Sequence, residues 1–326
     1  MDLVSIKRKY RNRRNLIIAA FVLTIFIILL IIIREKHLDI KYENIFHSYT
    51  NLIEQAKFEE KRIAEQKEAE RLAKLPQLTD VGKNNLANIY DSETKRVFLT
   101  FDDGPSKSVT IPILDILKQE NIKATFFLLG SRVDLYPDIV KREYDEGHYL
   151  ASHGYSHVYS QIYASPHSVL DEYNKSITSI KRAIGAPEFN PHLFRFPGGY
   201  KGGKYFPVKE QAAVLLEQNG VLNIDWNALT ADSAGAKTTE EFIAELEKEV
   251  PKYNSVVVLM HDAGTKQATA EALPTIIQYF RERGFEFENF YSIIKWKSAC
   301  SSTCFLLHYG NFLLKTIAKW KKYDII

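Results

Sequence analysis

The stretch FLTFDDGPS, residues 98–106, ends an apolar run with two adjacent carboxylates. Asp102 and Asp103 repel one another, so their contact is costly unless a cation offsets it. Asp, Gly and Pro all favour turns, and a plain turn is the simpler explanation of this motif. A turn does not explain why a strand ends on two carboxylates, so we treat this strand end as a candidate site.

Outward from this stretch, short β-rich runs alternate with amphipathic helical patterns. RVFLTF (96–101) precedes VTIPILDILKQE (109–120), and KATFFLLG (123–130) precedes DLYPDIVKREYDEG (134–147). Further β-rich runs are HYLAS (148–152), HLFRF (192–196), VLNIDW (221–226), SVVVLM (255–260) and FEFENF (285–290). This alternation predicts a parallel sheet with helices outside it, either open or closed as a barrel.

Polar side chains recur where these strands end. The acidic pair follows the first strand, and further candidates follow or end later ones: His153, His157, Arg195, Asp225 and His261. In α/β barrels the C-terminal strand ends converge on one mouth, which carries the chemistry. Residues far apart in the chain can therefore meet in one site.

HGYSH places His153 and His157 four residues apart, so that both rings can face one ion. This spacing alone is equally consistent with two unrelated histidines, and Gly154 indicates a loop rather than a helix. The acidic pair strengthens the case. Two imidazoles and one carboxylate match a catalytic zinc site with an open position for water. One aspartate is then a ligand, and the other is free to act as a base.

His261 follows the apolar run VVVLM at a strand end. A histidine there can be a hydrogen-bonded core residue. Beside a metal site it suits a general acid, because its ordinary pKa is near neutrality.

Five motifs, TFDDGP, SHGYSH, RFPGG, DWN and LMHD, occur in this order. Together they resemble the motifs of the NodB-homology polysaccharide deacetylases, carbohydrate esterase family 4, over about residues 94–294. The resemblance implies a distorted (β/α) barrel of about seven strands. It also implies hydrolysis of N-acetyl groups on amino sugars with one divalent metal, usually zinc, with cobalt or manganese as alternatives.

The resemblance also implies a role for each matching residue. Asp102 corresponds to the general base and Arg195 to the arginine that orients it. Asp225 corresponds to the carboxylate that holds the catalytic histidine, here His261. The implied metal ligands are Asp103, His153 and His157.

The implied substrate pocket contains one departure from the family pattern. Trp226 and Leu259 correspond to the apolar slot for the acetyl methyl group. Many members have a tyrosine three residues after the arginine, and its backbone N–H helps to bind the oxyanion. Gly198 holds that position here. The backbone donor is kept, but the pocket wall changes, which leaves the substrate preference open.

Residues 16–33 read LIIAAFVLTIFIILLIII and contain no charge. As a helix they rise about 27 Å, close to the thickness of a bilayer core. A basic tail over 1–15 precedes them, which predicts a single-pass anchor with a cytoplasmic N-terminus and an extracellular remainder. A cleavable signal peptide is the alternative, but no A-x-A pattern follows. A buried core helix is disfavoured because the segment has no polar face.

The regions that flank the deacetylase domain (91–294) carry no catalytic motif. Residues 34–90 are rich in Glu, Lys, Ala and Gln and predict a helical stalk and linker, since the apolar spacing fits a coiled coil poorly. Residues 295–326 are apolar and basic, either an interfacial helix or a packing extension. Cys300 and Cys304 there form either a local disulfide or two free thiols.

The composition fits this interpretation. The net charge is +3 and the basic excess lies in the N-terminal tail, so no basic face indicates nucleic acid. We expect a membrane-anchored enzyme that deacetylates N-acetylglucosamine in peptidoglycan. Alternative substrates are an exopolysaccharide, chitin oligomers or O-acetylated xylan. An inactive carbohydrate-binding member of the fold is the alternative from another class, and the intact motif set argues against it.

Overall fold

The structure is a computed structural model that describes residues 15–16, 18–28, 40–73, 75–76 and 78–294. The chain divides into two compact units, Met1–Ala69 and Glu70–Ile326. Most of the predicted basic tail (1–15) and all of the predicted C-terminal extension (295–326) with its two cysteines lie outside the described residues.

The first unit is helical wherever it is described. Residues 18–28 are helical, and α1 (Ile40–Ala73) covers much of the predicted stalk. Between residues 51 and 68 nearly every side chain of α1 is exposed, as its content of Glu, Lys, Ala and Gln predicts. Of the predicted anchor, residues 17 and 29–33 lie outside the described part. Within the described ranges, no helix combines the length and apolar character that a membrane crossing requires.

One sheet of eight strands, all paired in parallel, organises the second unit. The strands are β1 (Arg96–Asp102), β2 (Thr125–Leu128), β3 (Tyr149–Ser152), β4 (Leu193–Phe194), β5 (Leu222–Asn223), β6 (Ala228–Leu229), β7 (Ser255–His261) and β8 (Glu286–Glu288).

One helix of the second unit precedes β1, and helices lie between the other successive strands except β5 and β6, largely as the sequence pattern predicts. They are α2 (Asp80–Ala87), α3 (Thr110–Gln119), α4 (Gly130–Leu135), α5 (Pro137–Asp145), α6 (Tyr159–Ile162), α7 (Pro166–Ile184), α8 (Phe206–Gln218), α9 (Thr239–Glu249) and α10 (Gln267–Glu282), with a 3₁₀ turn at Val250–Lys252. Several begin with local signals: Thr238 caps α9 in a capping box with Glu241, and Ser165 caps α7.

The sheet runs in the order β5-β4-β3-β2-β1-β7-β6. β7 pairs with β1 along its whole length, so β2 and β8 share the other edge of β1. Among the described residues β5 and β6 do not pair with one another, so the sheet is an open half-barrel. The predicted parallel α/β architecture is confirmed. The two-residue strand β6 was not predicted.

Successive residues of a strand point to opposite faces of the sheet. In β1, Val97, Leu99 and Phe101 pack in an outer core under the helices, whereas Phe98 packs in a separate inner core. Nearly every residue of β1 is apolar, so both faces of this strand must be covered by other parts of the chain.

Two flanking segments cover the inner face. Leu86 in α2 and Ile89 just after it are buried in the inner core, and so are three residues after β8: Phe290, Ile293 and Ile294. The Phe290 ring lies 5.4 Å from that of Phe98. The sequence boundary at residues 90 and 91 therefore falls inside the folded unit, because segment 80–90 contributes to its core.

The inner face changes character along β1. Phe98 lies in the apolar inner core, whereas Thr100 and Asp102, two and four residues further on, are polar and buried. All strands are parallel, so their C-terminal ends meet at this polar end. The candidate site lies there.

Candidate active site

Asp102 is the last residue of β1, and its carboxylate is paired with Arg195. The Arg195 Nη1 donates to Asp102 Oδ1 at 2.8 Å and to Thr100 Oγ1 at 2.7 Å. The remaining guanidinium donors bind backbone carbonyls, Nε that of Ile224 at 3.1 Å and Nη2 that of Asp225 at 3.1 Å. Arg195 is fully buried, so these bonds compensate for the loss of water around its charge.

This pairing sets the electrostatics of Asp102. Burial raises the pKa of its carboxyl, and the charge of Arg195 opposes the rise. Oδ1 is occupied by Arg195, whereas Oδ2 lies 3.8 Å from His153 Nε2. Asp102 therefore presents one carboxylate oxygen towards the histidines.

Asp103, His153 and His157 are brought together, as the sequence predicts. Asp103 Oδ1 lies 3.4 Å from His157 Nε2 and 3.6 Å from His153 Nε2. One donor atom from each residue lies within 4.8 Å of the others. Asp103 Oδ1 is buried and has no hydrogen-bond partner among the described residues. An orphaned carboxylate oxygen facing two imidazole nitrogens fits a divalent cation.

The tautomer of His153 supports the same assignment. Its Nδ1 lies 2.8 Å from the Arg195 carbonyl, which can only accept, so Nδ1 carries the proton. Nε2 then presents its lone pair to Asp103. Burial lowers the pKa of His153 to about 3, which keeps the ring neutral. A neutral imidazole oriented by a backbone carbonyl is the usual form of a metal ligand.

The two histidines meet through a loop rather than on a helix. Gly154 and His157 both have positive φ values, 84° and 58°. Glu172 of α7 holds the loop, since its Oε2 accepts from the backbone N–H groups of Tyr155 and Ser156 at 2.7 Å each. The two histidines, four residues apart, are therefore brought together by a turn and not by a helix, as Gly154 in the sequence indicated.

His261 is held by Asp232, which the sequence analysis missed. His261 Nδ1 lies 2.8 Å from Asp232 Oδ1, and the His261 backbone N–H donates to Asp232 Oδ2 at 2.8 Å. Thr269 also donates to Asp232 Oδ2, at 2.9 Å. Burial alone would lower the pKa of His261, but the hydrogen bond to Asp232 and its charge raise it above its ordinary value.

The prediction that Asp225 holds His261 is wrong. Both Asp225 oxygens accept from the Tyr200 N–H at 3.0 Å, so this carboxylate anchors a different loop. The cause is β6, which lies between the two aspartates and pairs with β7. Asp225 precedes β6, whereas Asp232 follows it and reaches the mouth beside His261. The only sequence signal was the short run NALTAD (227–232).

The predicted pocket residues lie around this mouth. Leu259 precedes His261 by two residues and so shares its face of β7. The Trp226 ring centre lies 5.7 Å from the Arg195 guanidinium carbon. Gly198 and Gly199 both have left-handed backbones, with φ 75° and 76°. A Cβ on Gly199 would lie 3.0 Å from the Trp226 ring.

A Cβ on Gly198 would lie 2.5 Å from the Tyr159 hydroxyl oxygen. We expect Gly198→Ala to lower the free energy of unfolding by about 2 kcal/mol, combining left-handed strain with overpacking. Gly185→Ala is the matched control, since Gly185 has φ 68° and nothing within 4 Å of its added Cβ. Its expected cost is only about 1 kcal/mol. If urea unfolding gave the same loss of unfolding free energy for Gly198→Ala and Gly185→Ala, the contact with Tyr159 would be contradicted.

Comparison with known proteins identifies the family of this chain. The polysaccharide deacetylase family model matches residues 90–215. The chain is 31% identical over 240 residues to a peptidoglycan-N-acetylglucosamine deacetylase of Bacillus cereus, covering 71% of this chain and 82% of that protein. It is 36% identical over 197 residues to the peptidoglycan-N-acetylglucosamine deacetylase PgdA of Listeria monocytogenes, covering 59% of this chain but 37% of that longer protein.

Solved structures give the same result. A carbohydrate esterase family 4 esterase from Streptococcus mutans superposes with a TM-score of 0.58 at 31% identity, covering 67% of this chain and 93% of that one. The catalytic domain of a peptidoglycan N-acetylglucosamine deacetylase from Eubacterium rectale gives 0.57 at 31% identity, covering 63% and 93%. The similarity covers most of the Bacillus cereus protein, and the shared motifs lie at the mouth of one sheet. The chain therefore belongs to the NodB-homology polysaccharide deacetylases of carbohydrate esterase family 4, which hydrolyse amide bonds.

Proposed function

We propose that this enzyme removes the acetyl group from N-acetylglucosamine in peptidoglycan, giving acetate and a free amine. The observation that carries the chemistry is the meeting of a base, a three-residue metal site and a histidine acid at one mouth. β1 and β7 pair at Asp102 and His261, which sets base and acid side by side. The substrate is supported by the names of the relatives from Bacillus cereus and Listeria monocytogenes.

Asp103, His153 and His157 would hold one divalent metal ion, and their two nitrogens and one oxygen suit zinc, with cobalt or manganese as alternatives. When bound, the ion supplies Lewis-acid polarisation of the acetamide carbonyl and makes water a better nucleophile.

Asp102 acts as the general base. Its free Oδ2 faces the histidine side of the mouth and takes the proton of the attacking water. Arg195 holds the other oxygen, which fixes the carboxylate and favours its ionised form against burial. Arg195 is thus a positioning residue rather than a proton donor.

His261 acts as the general acid. Asp232 binds its Nδ1, so Nε2 is left to carry the proton that the departing amine takes. The raised pKa of His261 keeps that proton in place near neutral pH. The developing oxyanion is bound by the Gly198 N–H, a backbone donor next to the acetyl slot of Trp226 and Leu259.

Acetate release from purified peptidoglycan, with and without a chelator, tests this function. We expect release from peptidoglycan that the chelator abolishes and added zinc restores. Chitin oligomers, exopolysaccharide and acetylxylan are the comparison substrates. Faster turnover of one of these would replace the proposed substrate. No release from any of them by zinc-loaded protein would favour an inactive carbohydrate-binding member.

We also propose that residues 16–33 anchor the enzyme in the cell membrane, with the N-terminus in the cytoplasm and the catalytic domain outside. The support is the uncharged eighteen-residue stretch and the basic tail before it. Fractionation of cells that express the full chain tests this, and recovery in the soluble fraction would contradict the anchor.

A further inference from the structure

The loop after β4 is held by side chains that the mechanism above does not use. The Tyr163 hydroxyl donates to the carbonyl of Pro197 at 2.6 Å. The Lys209 ammonium donates to the carbonyl of Gly199 at 2.5 Å. Both ends of segment 197–199 are therefore hydrogen-bonded to the helical layer. Tyr163, which follows α6, binds the first residue, and Lys209 of α8 binds the last.

The Tyr163 bond fixes the direction of the Gly198 N–H. The carbonyl of Pro197 and the N–H of Gly198 belong to one planar peptide unit and point in opposite directions. Tyr163 belongs to the outer core, so the Pro197 carbonyl points outward. The Gly198 N–H therefore points away from the outer core, and it has no acceptor among the described residues.

Residues 196–199 form a turn closed by the Gly199 N–H, which donates to the Phe196 carbonyl at 2.8 Å. Gly198 and Gly199 are adjacent and both left-handed, and glycine adopts many other backbone conformations at little cost. Turn types that share this backbone bond differ in the orientation of their central peptide, here Pro197–Gly198, and the Tyr163 bond selects one of those orientations. A donor that serves a transition state must already be oriented before the reaction.

Lys209 is unusual for a lysine because its side chain is almost wholly buried, with 4% of the residue exposed. Burying an ammonium is costly, which argues for a specific role. Besides the Gly199 carbonyl, its Nζ lies 4.9 Å from the Tyr163 ring centre. The two side chains therefore contact one another as well as the loop.

We propose that Tyr163 and Lys209 are positioning residues that orient the Gly198 N–H towards the acetamide oxygen in the transition state. This inference rests on the proposed deacetylase function. A positioning role differs from a purely structural role in one measurable respect. A donor used mainly in the transition state affects kcat, whereas a general packing role affects stability alone.

Tyr163→Phe tests the proposal, with acetate release from peptidoglycan as the assay. We expect kcat to fall about tenfold to a hundredfold, less than the loss of a whole oxyanion donor, with KM within about twofold. Tyr149→Phe is the matched control. Tyr149 is also buried, and its hydroxyl also donates to a proline carbonyl, that of Pro191, but on the inner core. We expect its kcat to stay within about twofold of wild type.

Lys209→Met, which keeps length and removes the charge, is the second variant. The loss in the double variant should be smaller than the product of the single losses, since both act on one loop. The inhibition constant of a phosphonamidate analogue of the tetrahedral intermediate should rise in parallel with the fall in kcat/KM. If Tyr163→Phe fails to fold, Lys209→Met carries the test with the same criteria.

The outcomes separate the two proposals. An inactive zinc-loaded wild type would overturn the proposed function and this inference with it. An active wild type with unchanged kcat in both variants would overturn the inference alone. So would a fall in kcat that Tyr149→Phe reproduces, since that would reflect general loss of a buried hydrogen bond.

Discussion

Replacing Asp103 by alanine is expected to remove both bound zinc and activity. Asp103 Oδ1 lies within 3.6 Å of both histidine nitrogens and has no hydrogen-bond partner among the described residues. With the ion lost, kcat/KM should fall by about a thousandfold or more, the scale on which metal activation of water operates. Zinc per chain after dialysis and acetate release from peptidoglycan are the two measurements.

Asp102→Asn is the control for this result, because Asp102 and Asp103 are adjacent and chemically alike. We expect the Asn variant to keep its zinc, since Asp102 is paired with Arg195, yet to lose turnover. Asparagine has almost the shape of aspartate but cannot take a proton from water. Loss of zinc in Asp102→Asn, or retention of zinc and activity in Asp103→Ala, would contradict the assignment of ligand and base.

Asp232→Asn is expected to lower kcat about a hundredfold or more, on the scale of general acid catalysis. An acid must be protonated to act, so the wild-type rate falls as the pH rises through the pKa of His261. The Asp232 charge and hydrogen bond raise that pKa. Removing the charge lowers it, and the alkaline limb of the pH profile should move to lower pH.

The matched control is Asp225→Asn, which removes a carboxylate of the same kind that also follows the C-terminal end of a strand. Asp225 binds the Tyr200 N–H and not His261, so the alkaline limb should keep its position even if the rate changes. A shift of that limb in Asp225→Asn, with none in Asp232→Asn, would restore the pairing that the sequence predicted.

Most of the fold was predictable because it rests on local periodicity. Seven of the eight strands were predicted from β-rich runs between helical patterns. The continuous apolar run in β1 reflects the burial of both faces of that strand. The strand β6 has only two residues and carries no periodicity that a sequence can display. The polar composition of segment 80–90 predicts a linker, and the structure shows that Leu86 and Ile89 of this segment are buried in the inner core.

The sequence by itself indicated the residues proposed as metal ligands and base, because Asp102 and Asp103 end one strand and the histidines share a five-residue loop. Chain connectivity brings the members of each pair together, whereas the two pairs meet because β1 and β3 are parallel strands of one sheet whose C-terminal ends share one mouth. Only the tertiary structure decided which carboxylate holds His261 and which side chains orient Gly198. Those contacts depend on the pairing of β6 with β7 and on the packing of α8 and Tyr163 against a glycine loop. Pairings between residues distant in the chain are set by the sheet register, which no local motif encodes.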